Sequence, residues 1–285
     1  MGTPTTPIAG PPWLSGRAQA PGPHGGSTDH SAFAVCSVCK GPASAGTSRC
    51  WSCRQVLHQL EMAPPVVVPS FMFEIGSPVH VSLVGYKAAA TDASRLLRQE
   101  ALAAWLGAFL GAHLSCLSPG RREPIWLVPV PSSTGGRLSW NGSHPLVSLC
   151  GLAARQATSP NWRQIEVLDV LRVTDGPPAR LSATQRGYVP DLGSELLGRS
   201  VIAVDDVFVS GARLLSAAAA LSLAGARVVA ALPMGRLVRP AHNSATLAYW
   251  ARYGSRPATL ESCAACRVTR RLACTSPGVV ERLAA

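Results

Sequence analysis

Val201-Ile202-Ala203-Val204-Asp205-Asp206-Val207-Phe208-Val209-Ser210-Gly211-Ala212-Arg213 is the stretch on which the reading of this chain turns. Val201 to Val204 form an apolar run rich in β-branching, the pattern of a short strand buried on both faces. Two adjacent carboxylates end it, a turn containing Gly211 follows, and Leu214 to Ala224 reads as a helix. A second apolar strand runs from Arg227 to Leu232. Strand, acidic pair, loop, helix and strand make a βαβ unit, which places ligand chemistry at the carboxyl end of its first strand. The backbone amides of Ser210 to Arg213 would stand at a helix N-terminus, where unpaired donors and the helix dipole favour a phosphate. Asp205 and Asp206 suit sugar hydroxyls and Mg²⁺ instead.

Upstream, Trp126-Leu127-Val128-Pro129-Val130-Pro131 is a short apolar strand opening into Ser132-Ser133-Thr134-Gly135-Gly136. Hydroxyls and amides in such a loop can hold an anion, and the same composition also makes a plain surface loop. Val79 to Lys87 alternates and predicts a strand. A helix begins at Thr91 or Asp92, with apolar positions at Leu97, Ala101, Leu102, Trp105, Leu106, Phe109 and Leu110. His113 extends that face and reads as a packed, structural histidine. Pro145 starts another helix to about Gln156, capped by Ser143, and Ile165 to Val173 reads as a strand. Beyond Pro233 regularity fades, with one strand expected at Thr246 to Tyr249.

Cys36-Ser37-Val38-Cys39 and Cys50-Trp51-Ser52-Cys53 are paired CxxC knuckles. Together they can point four thiolates inward, the tetrahedral set that Zn²⁺ prefers, and they leave no open position for catalysis. A redox pair is the alternative. Near the C-terminus, Cys263-Ala264-Ala265-Cys266, with Cys274 and His242 as companions, offers either a second metal site or thiols on a tail. Nine cysteines without an export signal favour metal or thiols over disulfides.

The chain has 285 residues, 47% of them hydrophobic, and a net charge of +11. That charge lies mostly at the ends: residues 1–60 carry +3, residues 61–232 carry +2 and residues 233–285 carry +6. Basic ends permit a polyanionic partner such as nucleic acid, and a solvated basic tail reads the same way. The apolar runs near 101–117 and 214–234 are interrupted by His113 or by Gly225 and Arg227, so no membrane span and a cytoplasmic location are expected. The organisation expected is a disordered leader over 1–32, a zinc knuckle over 33–62, an α/β domain over 63–240 and a basic, Cys-containing extension over 241–285.

Residues 201–213 resemble the phosphoribosyl-pyrophosphate motif of type I phosphoribosyltransferases: an apolar strand, two acids, an apolar pair and a hydroxyl-Gly loop. The order of a four-cysteine knuckle, Tyr86-Lys87, Val128-Pro129-Val130-Pro131, Leu181-Ser182 with Arg186, and the acidic pair resembles the ComF family across residues 33–240. That family consists of phosphoribosyltransferase-like proteins associated with DNA uptake in natural competence. The resemblance implies a type I phosphoribosyltransferase fold, a parallel sheet flanked by helices, preceded by a structural zinc knuckle on Cys36, Cys39, Cys50 and Cys53. It implies that Asp205 and Asp206 take the ribose hydroxyls of Mg²⁺-phosphoribosyl pyrophosphate and that Val209, Ser210, Gly211, Ala212 and Arg213 hold the 5′-phosphate. Pro131, Ser132 and Ser133 would face pyrophosphate, and Lys87 would stand near a flexible hood. The implied partners are phosphoribosyl pyrophosphate or a related ribose phosphate, with single-stranded DNA or DNA-uptake proteins. The alternative is a non-catalytic nucleic-acid-binding or scaffold component of DNA uptake.

The chain departs from the family pattern at the phosphate loop, where Val209 and Arg213 replace two hydroxyl residues. Arg213 can grip phosphate bidentately or face solvent as an ordinary helical arginine. Leu138-Ser139-Trp140-Asn141 stands where the family has Arg-Gly-Phe-Asn, and Pro178 stands where it has Gln.

Overall fold

Strand β8, Ser200–Phe208, is flanked on both sides by parallel neighbours and anchors the architecture. The structure is a computed structural model and describes residues 33–88, 90–119, 123–132, 144–157, 165–179, 181–191 and 193–254, with Leu260 and Cys263. The expected leader, Ser133 and Leu138 to Asn141 lie outside the described residues. A short antiparallel hairpin, β1 (Ala34–Val35) and β2 (Pro42–Ala43), comes first, followed by α1 (Trp51–Leu60). The main sheet has five parallel strands in the order β3-β9-β8-β4-β5. These are β3 (Phe71–Phe73), β4 (Ile125–Pro129), β5 (Ile165–Val167), β8 and β9 (Arg227–Leu237). A second antiparallel pair, β6 (Leu171–Val173) and β7 (Tyr188–Pro190), stands apart.

Helices cover both faces. On one face pack α2 (Pro78–Ala88), α3 (Asp92–Leu117) and α4 (Pro145–Gln156), with Leu102, Leu106, Phe109 and Leu110 fully buried against Ile125, Leu127, Ile202 and Val204. Each such side chain taken from water contributes about 1.5–3 kcal/mol. On the other face lie α5 (Ala212–Leu223) and the N-terminal knuckle with α1, sharing one hydrophobic cluster with Val201 and Ala203. The knuckle is therefore continuous with the sheet's core. Gln59 on α1 accepts a hydrogen bond from the Ala183 amide at 2.6 Å, and the Gln185 side chain donates to the Leu60 carbonyl. Helix α3 has the length and hydropathy of a membrane span, but 61% of that window is buried within the fold, as befits a core helix.

Four expectations change. Val79 to Lys87 is helical because Ser77 and Pro78 start a helix: the Ser77 hydroxyl accepts from the His80 amide at 3.2 Å and Pro78 takes the first helical position. Its buried residues are Ser82, Leu83, Gly85 and Tyr86, a helical face that strand-like alternation obscures. Thr246 to Tyr249 likewise belongs to a helix, α6 (Ser244–Tyr253), capped by Asn243, whose side chain accepts from the Thr246 amide at 2.8 Å. Ile165 to Val173 is two strands: the first pairs with β4, and the second leaves the sheet edge to pair with β7. The acids do not end β8 but lie within it, because β9 runs on to Leu237 and keeps pairing through Phe208.

Candidate functional site

The acidic pair occupies the place where β8 loses one neighbour. Pairing of β4 with β8 ends at Pro129 opposite Val204, with a last backbone bond from the Val130 amide to the Val204 carbonyl at 2.8 Å. From β4 the chain proceeds through α4 to β5, and from β8 through α5 to β9, on opposite sides. A crevice opens between the carboxyl ends of two strands whose connections diverge in this way, and that is where open α/β sheets bind ligands. Pro131 and Ser132, both half-buried, lie on its β4 side.

Consecutive strand residues point to opposite faces, so Asp205 and Asp206 are served by different helices. Asp205 follows Ala203 toward the α5 face, and Arg213 Nη2 lies 2.9 Å from its Oδ1. Asp206 follows Val204 toward α2, where the Lys87 ammonium ion-pairs with Oδ2 and the Tyr86 hydroxyl donates to the same oxygen at 3.3 Å. Arg213 also reaches Asp206 Oδ1 at 3.5 Å. The carboxylates are almost inaccessible, with Asp205 2% and Asp206 4% exposed. Burial pushes the Asp205 carboxyl up, against the pull of Arg213. Burial acts on Asp206 in the same sense, but Lys87 and then Arg213 outweigh it and hold Asp206 below the usual carboxylate range. Two like charges this close divide their roles: Asp206 is the firm anion and Asp205 the softer one.

The loop after β8 is shaped by Gly211. It caps α5 with φ of 88°, a backbone that disfavours side chains, and a Cβ there would meet the Phe208 ring at 2.4 Å. Ser210 is buried, and its hydroxyl accepts from the Ala212 amide at 3.3 Å, while Val209 is exposed. Arg213 does not face solvent as an ordinary helical arginine. Its guanidinium lies on the acids, and Asp205 raises its pKa further.

Two residues beside the pair carry little sequence signal. His144, not Ser143, caps α4, its Nδ1 accepting from the Leu146 amide at 3.3 Å. Its Nε2 is buried with no hydrogen-bond partner among the described residues. Burial, then the positive charge of Lys87, push its pKa down to about 4. Tyr188 on β7 is buried, and burial followed by the charge of Asp205 raises its pKa. A histidine before a proline and a tyrosine in a short strand look ordinary until the fold brings both to Arg213 and the acids.

On the α5 face, Cys36, Cys39, Cys50 and Cys53 are all buried and their sulfur atoms lie within 4.8 Å of one another, a group that can hold a metal ion. Cys39 and Cys50 Sγ are 3.7 Å apart. Lys40 takes a left-handed φ of 59° to close the first knuckle, and Cys50 caps α1. Arg236 on β9, 6% exposed, lies beside this cluster and donates to the Val209 carbonyl at 3.1 Å and the Phe208 carbonyl at 3.5 Å. Burial opposes its charge, but Cys39, Cys50 and Cys53 more than offset that and raise its pKa. Gly41 makes room for it, since a Cβ there would fall 2.2 Å from Arg236 Nε. Sequence reasoning missed this arginine because its partners are 27 or more residues away. His242 lines a cleft of 260 Å³ with Cys50, Trp51 and Arg239, whereas the Cys263 thiol is grouped with His113 and Cys116. Compared with known proteins, the chain matches no family model and no curated protein significantly.

Proposed function

We propose that the chain has a type I phosphoribosyltransferase-like fold and binds Mg²⁺-phosphoribosyl pyrophosphate in the crevice between β4 and β8. The observation that carries this reading is the buried Asp205–Asp206 pair at the sheet's diverging point, neutralised by Lys87 and Arg213 and followed by a helix N-terminus. Ribose hydroxyls can donate to the two carboxylates. The 5′-phosphate fits the amides after Ser210, and the pyrophosphate the turn at Pro131 and Ser132. An arriving polyanion offers Lys87 and Arg213 new partners, which releases the carboxylates for hydroxyl donors.

Transfer breaks the bond from C1′ to the pyrophosphate oxygen, whose electron pair leaves with pyrophosphate. An acceptor's lone pair then forms the new C1′ bond. The transition state gathers positive charge on the sugar, so the nearby carboxylates and a fixed geometry supply the acceleration. The acceptor is a base or amine that is already nucleophilic, linked on this reading to DNA uptake.

The four-thiol group is proposed to hold structural zinc. Tetrahedral bonds of about 2.3 Å set sulfur atoms about 3.8 Å apart, in line with the spacing of Cys39 and Cys50. A closed sulfur set leaves the ion no substrate position. A non-catalytic, nucleic-acid-binding role is the second reading, favoured by the +6 charge of residues 233–285.

Calorimetric titration with Mg²⁺-phosphoribosyl pyrophosphate tests the first reading. Wild type is expected to bind, and Asp205→Asn with Asp206→Asn is expected to lose at least ~100-fold in affinity, since charge-assisted hydrogen bonds to both carboxylates go together. Equal binding by both proteins places the ligand elsewhere. No binding by wild type, with salt-sensitive binding of single-stranded DNA, selects the second reading.

A further inference from the structure

We propose a second metal site, separate from the knuckle and from the acidic crevice, built by His113 and Cys116 of α3 with Cys263 of the C-terminal segment. Its ion is of the zinc class. His113 and Cys116 are three residues apart on one helix and so share a face. Cys263 comes to that face from far along the chain, and the ligating atoms of the three residues lie within 4.8 Å of one another. His113 is 0% and Cys263 3% exposed, and Cys116 is half-buried, so the group is sheltered rather than scattered on a surface.

The donor chemistry selects the metal. Two thiols and an imidazole are soft to borderline ligands, which suit zinc and reject Mg²⁺ or Ca²⁺. The surroundings give the ion a task. Cys263 belongs to the same buried cluster as Leu114, Leu117 and Cys150, and Leu260 packs against that cluster. Leu260 and Cys263 thus lie against the cluster that buries the end of α3. A metal bridge from helix to tail closes a long loop, the situation in which a cross-link removes the most entropy from the unfolded chain. The ring of His113 tilts against Phe109 with centroids 4.7 Å apart, which fixes the imidazole's plane. The set stands at the end of α3 that leads into the start of β4, whereas the crevice lies at the carboxyl ends of β4 and β8, so the set is structural and stands whether or not the proposal for the crevice does.

Metal analysis of the full chain, purified under reducing conditions, tests the site. Two zinc ions per chain are expected, falling to one in Cys116→Ser with Cys263→Ser while the knuckle ion stays. Zinc X-ray absorption on the wild type needs no variant: a mixed sulfur and nitrogen shell with imidazole scattering is expected. His113→Ala should abolish that scattering. A single zinc ion with a pure four-sulfur shell overturns the proposal, as does a Cys116–Cys263 disulfide found by peptide mass mapping of protein purified without added reductant.

Discussion

Two arginines, the buried Arg236 and the half-buried Arg213, each neutralise an anionic cluster at the two ends of one loop, and they do so in opposite manners. Arg236 is 6% exposed, stacks at 4.9 Å over the Phe208 ring, and donates to backbone carbonyls at the start of the loop. The side chain of Arg213, at the loop's far end, is 28% exposed and bonds only carboxylate oxygens among its described hydrogen bonds and ion pairs. A cation tied to backbone and thiols is part of the scaffold. A cation tied to side-chain oxygens at the mouth of a crevice can exchange them for a ligand's oxygens. The same residue type thus fixes one end of the loop and leaves the other responsive.

Stripping the knuckle should break this comparison most severely. Unligated polar groups would sit in a core shared with Val201 and Ala203, so the loss spreads into the sheet. Cys36→Ser with Cys39→Ser, or exhaustive chelation under reducing conditions, is expected to lower Tm by ~10 °C or more, since metal binding is folding energy in such sites. A thermal scan checks it, and an unchanged Tm would make the knuckle an independent appendage.

Arg236→Met comes next. It leaves the carbonyls of Phe208 and Val209 without this donor and the sulfur cluster without its counter-charge. Breaking a buried charge pairing costs about 3–5 kcal/mol, read by urea denaturation. Arg213→Met is expected to cost less, about 1 kcal/mol, because the arginine side chain is partly exposed and Asp205, whose carboxyl burial already pushes up, can take a proton in its place. Its effect should appear in binding: the dissociation constant for Mg²⁺-phosphoribosyl pyrophosphate rises ~10-fold or more as a charge-assisted phosphate contact is lost. A fall in that constant would recast Arg213 as a plug that competes with ribose for Asp205.

Much of this was legible in residues 201–213, because an apolar strand, a hydroxyl-Gly turn and an apolar helix are local signals. The CxxC pairs were legible for the same reason, since two ligands three residues apart advertise themselves. The fold hid what depends on distant contacts. Val79 to Lys87 alternates like a strand, yet Ser77 and Pro78 start a helix that carries Tyr86 and Lys87 to Asp206. Helix α6 was obscured by its aromatic content, and its register is set by the Tyr249 hydroxyl donating to the Lys40 carbonyl at 2.7 Å. Asp205 and Asp206 looked like one feature in sequence. The pleat separates them into two, one answering to Arg213 and the other chiefly to Lys87.

His144 gives the finest test of how these charges are arranged. Burial and the nearby Lys87 lower its pKa from 6.5 to about 4, so the folded protein holds the ring neutral where the unfolded chain would begin to protonate it. The sign follows from proton counting: between these values the unfolded state binds more protons, so stability rises with pH there. The contribution of His144 is complete above the ordinary histidine range and is lost progressively as pH falls from about 6.5 toward 4. Observed by NMR, its Cε1 proton should titrate near pH 4 in the ligand-free protein. Lys87→Met should move that midpoint upward, because a positive neighbour has gone while Asp206, which favours the charged ring, is still there. A wild-type midpoint at or above 6 would mean that neither burial nor Lys87 holds His144 neutral, and the cationic lining of the crevice would then reduce to Arg213.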